Sequence, residues 1–325
     1  MKKTHILCIA YFEKEWYHKL FADYDSHFTF SLIDPHTVPS SADLEHTEII
    51  WGNISPRYLS LAPNLKWLQL VSAGNEAYTK ENFPQNAILT NASGSHGCII
   101  AEHLTMSTLM LFRNALTYFS QQQKHVWNGL DKSKSIYGSR FLIIGCGAIG
   151  TTYAQTVYAM GGYTIGVKKH KTTSIDGFCE LHTTEALESL LPTADVITLA
   201  VPNTPSTNLL LDKKRLSLMK QDAVLLNVGR GNALDEHALS EMLNTNKLSG
   251  AALDVFEQEP LSSDSPLWDT KNLIITPHSS GGFSATCTVN SIKQLFVQNL
   301  KSYINNETLS NIVDFDLGYR NNTYR

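Results

Sequence analysis

Short apolar runs separated by polar, turn-rich stretches mark this chain from its first residues onward. His5–Ala10, Phe28–Ile33, Glu48–Trp51, Lys66–Val71 and Ile88–Thr90 are each bounded by turn residues, and each predicts a strand. Ser55-Pro56 predicts a helix start, with Ser as cap and Pro at the first helical position. From Gly97 to about Gln122 the period changes. Ile100, Leu104, Ser107, Leu111 and Ala115 fall on one face, which predicts a helix. The polar stretch Gln121–Ser139 reads as a connection. Beyond it, Arg140–Ile144, Tyr163–Val167, Asp195–Val201, Ala223–Val228, Gly250–Val255 and Leu273–Thr276 are nearly continuous runs rich in Val, Ile and Leu. A parallel sheet buried on both faces demands such strands. Helical stretches alternate with them, so the fold class is α/β and this part is doubly wound. Phe283 to about Asn305 is helical again, and a polar tail follows.

At about 150 residues per domain, the 325 residues suggest two domains. Hydrophobic content of 42% against 17% charged excludes a disordered chain. The balance of 26 basic and 30 acidic side chains leaves no basic field for a nucleic-acid backbone. No apolar run approaches the roughly 18 residues of a membrane span. Met1-Lys2-Lys3 followed by His5–Phe12 superficially resembles a signal peptide, but the apolar stretch is short and runs into Glu13-Lys14-Glu15. A first strand and a soluble, cytoplasmic protein are expected. The five cysteines, Cys8, Cys98, Cys146, Cys179 and Cys287, form no CxxC pair. They predict neither a disulfide framework nor a metal site, but small buried hydrophobes in a reducing compartment.

The chemistry collects after strand ends. Gly145-Cys146-Gly147-Ala148-Ile149-Gly150 is a GxGxxG that follows an apolar strand and opens a helix. Gly145 suits a tight turn, Gly147 lets backbone approach a pyrophosphate, and Gly150 lets helix pack on strand. The helix N-terminus offers N–H groups and partial positive charge to phosphates. In Asn227-Val228-Gly229-Arg230-Gly231, Arg230 sits beyond a strand end, where it either grips a carboxylate or caps the strand. Asp254-Val255-Phe256-Glu257-Gln258-Glu259-Pro260 and Thr276-Pro277-His278-Ser279-Ser280-Gly281-Gly282 follow the next two strands. Arg230, Glu259 and His278 can therefore meet, the carboxylate holding the imidazole.

These four motifs, in this order, resemble the D-isomer-specific 2-hydroxyacid dehydrogenases, and Asn91-Ala92-Ser93-Gly94 and Ala101-Glu102-His103 look like that family as well. The resemblance implies two Rossmann-like domains with parallel sheets and a cleft between them. Residues 1–100 and 288–325 would form a discontinuous substrate domain, and 101–287 the dinucleotide-binding domain. It places catalysis on Arg230, Glu259 and His278. Cofactor contacts fall on Gly145, Gly147, Ala148, Ile149, Gly150, Lys168, Lys169, Val201, Pro202, Thr207, Val228, Gly229, Arg230 and Asp254. In the loop Ser72-Ala73-Gly74-Asn75-Glu76, Gly74 and Asn75 would bind the substrate carboxylate through backbone N–H groups, beside Arg230 and His278. Glu76 departs from the Asp of many members.

The implied partner is a small 2-keto or 2-hydroxy acid, the implied assembly a homodimer, and no metal, nucleic acid or membrane is called for. NAD-using members carry an acid at the end of the strand after the glycine loop. Counting residues 151–167 past Gly150 puts Lys168 there, followed by Lys169, His170 and Lys171. NADP is therefore expected as the cofactor, with NAD as the alternative. An NAD(H)-sensing regulator of the same fold has no need of a proton donor. A formate dehydrogenase would carry Gln at Glu259. A long phosphoglycerate dehydrogenase would carry a further regulatory domain, for which the residues after the last predicted helix leave no room.

Overall fold

The structure, a computed structural model, describes residues 3–79, 83–283, 285–316 and 318–320. Met1 and Lys2 of the leading basic tripeptide lie outside them. The chain forms two compact units, Met1–Ser95 with Phe283–Arg325, and His96–Gly282.

In the first unit β1 (Thr4–Ile9), β2 (Phe28–Ile33), β3 (Ile49–Trp51), β4 (Trp67–Gln69) and β5 (Ile88–Thr90) form a wholly parallel sheet. Its order is β2-β1-β3-β4-β5, a flavodoxin-like winding. Helix α1 (Lys14–Tyr24) connects the first two strands. Successive strand residues face opposite ways. Ile6 and Cys8 accordingly enter a core with Trp51, Trp67 and Phe296, while Leu7 and Ile9 enter another with Ile50, Leu68 and Leu89. Both faces are covered, which is why these strands read as unbroken apolar runs.

The second unit opens with α2 (Gly97–Phe112) and α3 (Ala115–Gln123). The single helix expected over 97–122 is thus two, because Asn114 takes a left-handed φ of 55° and ends the first helix's register. There follow β6 (Arg140–Ile144), α4 (Ala148–Ala159), β7 (Tyr163–Lys168), β8 (Glu180–Thr183), β9 (Val196–Leu199), β10 (Val224–Asn227), α5 (Glu236–Asn244), β11 (Gly250–Leu253) and β12 (Leu273–Ile275). All pair in parallel, in the order β12-β11-β10-β9-β6-β7-β8. The winding reverses between β6 and β9, the switch point where doubly wound sheets bind ligands. Phe141 and Ile143 pack on the side of Ile100, Leu104 and Tyr153, and Leu142 and Ile144 on the other.

The chain then returns to the first unit as α6 (Thr286–Ile304) and a hairpin of β13 (Val313–Asp314) and β14 (Tyr319–Arg320). Phe296 of α6 stacks on Trp51, with ring centroids 4.1 Å apart.

Two further expectations need correction, and one strand was not expected. Pro56 opens a short 3₁₀ helix over Pro56–Leu61, but the Ser55 side chain makes no capping bond. Only Cys8 is fully buried. Cys146 is half-buried, and Cys98, Cys179 and Cys287 are exposed, since they stand on helix faces or loops turned from the core. The edge strand β8 escaped sequence reading because all four of its residues are half-exposed, so no apolar run marks it.

Candidate active site

The glycine loop is built as its spacing suggests. Gly145 has φ 105°, and a Cβ there would lie 2.4 Å from the Ala200 carbonyl oxygen. A Cβ on Gly150 would lie 2.0 Å from the Gly145 oxygen, so the helix seats directly on the turn. Around Gly147, in contrast, a Cβ would meet nothing within 4 Å. The backbone N–H groups of Gly147, Ala148 and Ile149 find no acceptor among the described residues, and no side chain caps α4. An open cradle of donors at a helix N-terminus fits a pyrophosphate. Between the glycines, burial pushes the Cys146 thiol up to about 12, against the opposing charge of Lys168. It stays a neutral packing group.

The other cofactor candidates frame the same sheet edge. Val201 follows β9, is buried, and its carbonyl oxygen would sit 2.7 Å from a Cβ on Gly229, so Gly229 is close-packed against it. Pro202 is exposed, and its carbonyl accepts the Thr207 hydroxyl at 2.7 Å, which pins the 202–207 loop. Lys168 is the last residue of β7. Neither it nor the exposed Lys169 makes an ion pair among the described residues.

Arg230, Glu259 and His278 follow β10, β11 and β12, three neighbours in the sheet. Asn227, fully buried, locks the first turn. Its Oδ1 accepts the Gly229 N–H at 3.0 Å and its Nδ2 donates to the Arg230 carbonyl at 3.1 Å. Arg230 itself donates from Nη1 to the Gly229 carbonyl at 2.7 Å. Glu259 Oε1 accepts the Phe256 N–H at 3.0 Å, and its Oε2 lies 2.7 Å from His278 Nδ1. The His278 side chain remains 52% exposed, open to a reactant.

His278 has φ 50°, a strained value for a non-glycine residue. Asp254 holds it there. The Asp254 carboxylate is 1% exposed and accepts from the Thr276 hydroxyl at 2.6 Å, the Ser279 N–H at 2.9 Å, and both the N–H and the hydroxyl of Ser280. Its carbonyl accepts the His278 N–H at 2.8 Å. The side chain predicted to contact the cofactor is thus turned into the histidine loop. Burial lowers the His103 imidazole below its ordinary value, against the Asp254 charge, and its Nε2 stands 3.5 Å from the Thr276 hydroxyl.

In the first unit, the N–H groups of Ala73, Gly74 and Asn75 find no acceptor among the described residues. Consecutive unpaired N–H groups make an anion-binding nest. The Asn75 side chain, by contrast, is buried and committed to protein partners, including the Gly318 carbonyl at 3.1 Å. Among the described residues no group of three or more His, Cys, Asp or Glu could hold a metal, and no helix is long and apolar enough to cross a membrane.

Residues 105–280 match the model of the D-isomer specific 2-hydroxyacid dehydrogenase NAD binding domain. The chain belongs to the D-isomer specific 2-hydroxyacid dehydrogenase family. A solved member of that family from Aeromonas salmonicida subsp. salmonicida A449 is 31% identical, with a TM-score of 0.84 over 97% of this chain and 100% of that one. Glyoxylate/hydroxypyruvate reductase B from Yersinia pestis (strain Pestoides F) is 30% identical over 243 residues, 70% of this chain and 71% of the relative. D-3-phosphoglycerate dehydrogenase from Methanocaldococcus jannaschii is 31% identical over 229 residues, but this chain spans only 43% of its length. This dehydrogenase is therefore an NAD(P)-dependent oxidoreductase of the 2-hydroxy and 2-keto acid class. Among the residues that bear on the site, Asn227 was legible only as part of a motif, and Glu236, whose Oε1 accepts the Glu257 N–H at 2.7 Å, carried no sequence signal of its own.

Proposed function

We propose that this dehydrogenase reduces a small 2-keto acid to the D-2-hydroxy acid, using NADPH in preference to NADH. The observation that carries the reading is the 2.7 Å pairing of Glu259 Oε2 with His278 Nδ1, one strand away from Arg230. When bound, the dinucleotide supplies the hydride that reaches the C2 carbonyl. His278 donates the accompanying proton. With Nδ1 engaged by Glu259, Nε2 is the atom that protonates the keto oxygen. Glu259 orients the ring through its bond to Nδ1. Arg230 grips the carboxylate and polarises the keto oxygen. The N–H groups at 73–75 offer donors suited to a carboxylate, and the open donors at 147–149 hold the pyrophosphate.

The preference for NADPH rests on Lys168 and Lys169. A cation at the strand end cannot accept bonds from ribose hydroxyls, but it pairs with a 2′-phosphate. The resemblance to a glyoxylate/hydroxypyruvate reductase puts those two keto acids first among substrates. Exposed apolar side chains on α2, α3 and the segment after them, among them Met106, Leu109, Phe119, Val126 and Trp127, support pairing of two copies of the chain. The free thiols suit a reducing cytoplasm. The test is a panel of glyoxylate, hydroxypyruvate, pyruvate and branched 2-keto acids, each assayed with NADPH and NADH. Turnover of one or more with NADPH favoured is expected. A wild type inert towards every 2-keto acid would overturn the reading.

A further inference from the structure

The loop that carries the candidate carboxylate nest is held by residues from far along the chain. Asn75 is 4% exposed, and its Nδ2 donates to the carbonyl of Gly318, within the turn of the C-terminal hairpin, at 3.1 Å. Its Oδ1 accepts from Asn91 Nδ2 at 3.3 Å, and the same Nδ2 reaches the Ala73 carbonyl at 2.8 Å. Asn311, just before the hairpin, donates from its Nδ2 to the carbonyls of Asn91 at 3.1 Å and Ser93 at 2.7 Å. The Asn91 N–H returns a bond to the Asn311 carbonyl at 3.2 Å, and Thr90 bridges Ile312 antiparallel. Three asparagines thus tie the 73–75 backbone to the 311–318 segment.

The hairpin is itself seated. Val313 is 3% exposed in the core, and the Gly318 N–H donates to the Asp314 carbonyl at 2.9 Å. Every bond to Ala73 and Asn75 uses a side chain or a carbonyl. None consumes the three N–H groups at 73–75. A donor set for an anion is most effective when its geometry is fixed before the ligand arrives.

We propose that the C-terminal hairpin is a positioning element for the 72–75 loop, and that it sets the affinity for the carboxylate of the keto acid. This rests on the reading of that loop given above. The hairpin touches no reacting atom, so its effect falls on KM rather than on kcat.

Two variants of the full enzyme test it. Deletion of residues 317–325 removes the Gly318 carbonyl while Val313 and the Phe315–Phe83 ring contact stay. Asn91→Ala removes, in the intact chain, the Nδ2 bonds to the Ala73 carbonyl and to Asn75 Oδ1 that join the loop to the residue Asn311 holds, and introduces no charge beside the nest. Each is expected to raise KM for the keto acid about tenfold, the loss of one or two hydrogen bonds. The kcat should stay within about twofold and the Kd for NADPH should not move, since the glycine loop is untouched. Hydrogen exchange of the amides at 72–79 should accelerate in both. Unchanged exchange would show that the hairpin does not hold the loop and would overturn the proposal. Faster exchange with an unchanged KM would overturn it equally. A wild-type control that turns over no 2-keto acid would instead remove the substrate reading itself, and the proposal with it.

Discussion

Two loops, one in each unit, are wired in opposite ways. In the nucleotide-binding unit, the His278 loop is fixed from the end of the neighbouring strand. Asp254 follows β11, the loop follows β12, and one buried carboxylate receives four donors from Thr276, Ser279 and Ser280. In the other unit the 72–75 loop is fixed by neutral asparagines drawn from residues 91 and 311 and by a carbonyl at 318. The first arrangement suits a group that must hold one strained rotation while it moves a proton. Charge-assisted bonds are roughly twice as strong as neutral ones, which matches the positive φ of His278. The second uses neutral partners and leaves the three N–H groups at 73–75 without an acceptor among the described residues.

Breaking the stronger wiring should have the larger consequence. Asp254→Ala strands several buried donors at once and releases the histidine loop. The expected outcome is a loss of about 3 kcal/mol or more in chemical denaturation. A fall in kcat of about 10²-fold should accompany it, because the proton donor is no longer held. Exchange at 72–79 should stay at wild-type rates. If that segment also opens, the two loops are not independent.

Arg230→Ala acts on the reactant rather than on either loop. It should cut kcat/KM for the keto acid by about 10²-fold while NADPH binding, followed by fluorescence titration, stays near wild type. A variant that loses NADPH but keeps keto-acid affinity would reassign the guanidinium to the cofactor.

Lys168→Asp tests the cofactor end of the same unit. It should lower kcat/KM with NADPH by about tenfold and spare or improve that with NADH, measured at low salt with one keto acid. Equal losses with both cofactors would contradict a role at the 2′-phosphate.

The smallest effect concerns Glu236, on α5 beneath the Glu259 segment. Its Oε1 accepts the Glu257 N–H at 2.7 Å. Burial raises its carboxyl above the ordinary value, the Glu257 N–H bond opposes that, and the charges of Glu257 and Glu259 add to it. The folded chain thus holds this proton more tightly than the unfolded one. The stability it contributes is full below the unfolded value of 4.5 and is lost as pH rises through the folded value. Glu236→Gln keeps an acceptor for Glu257 without the charge. Its Tm should exceed that of wild type at about pH 7.5 and lose the advantage near about pH 4. A Tm difference that does not vary with pH would exclude this carboxyl as the source.

The contrast between the loops also marks what the sequence could reveal. The parallel strands were legible because both faces of each sheet are covered, so Phe141–Ile144 and Val224–Leu226 are apolar at every position. The strand-end motifs were legible because glycine loop, arginine, glutamate and histidine each follow a recognisable strand. Asp254 was singled out, yet its role in holding the His278 loop depends on which way a carboxylate turns, and spacing does not encode that. Asn75 and Asn91 lay in motifs the sequence marked, but the web that joins them to Asn311 and Gly318 was silent. Asn75 and Gly318 are separated by 243 positions, and an isolated Asn near a Gly reads as a turn residue. The edge strand β8 and the break at Asn114 were missed for the complementary reason, a weak or interrupted apolar pattern.

The central claim is that His278, held by Glu259, delivers the proton to a 2-keto acid. The most direct test is kcat for glyoxylate and hydroxypyruvate reduction with saturating NADPH, in wild type and in His278→Ala, with folding and NADPH binding of the variant verified. The expected result is a loss of at least about 10²-fold in kcat with the NADPH Kd unchanged. A folded His278→Ala enzyme that reduces these acids at the wild-type rate would contradict the account.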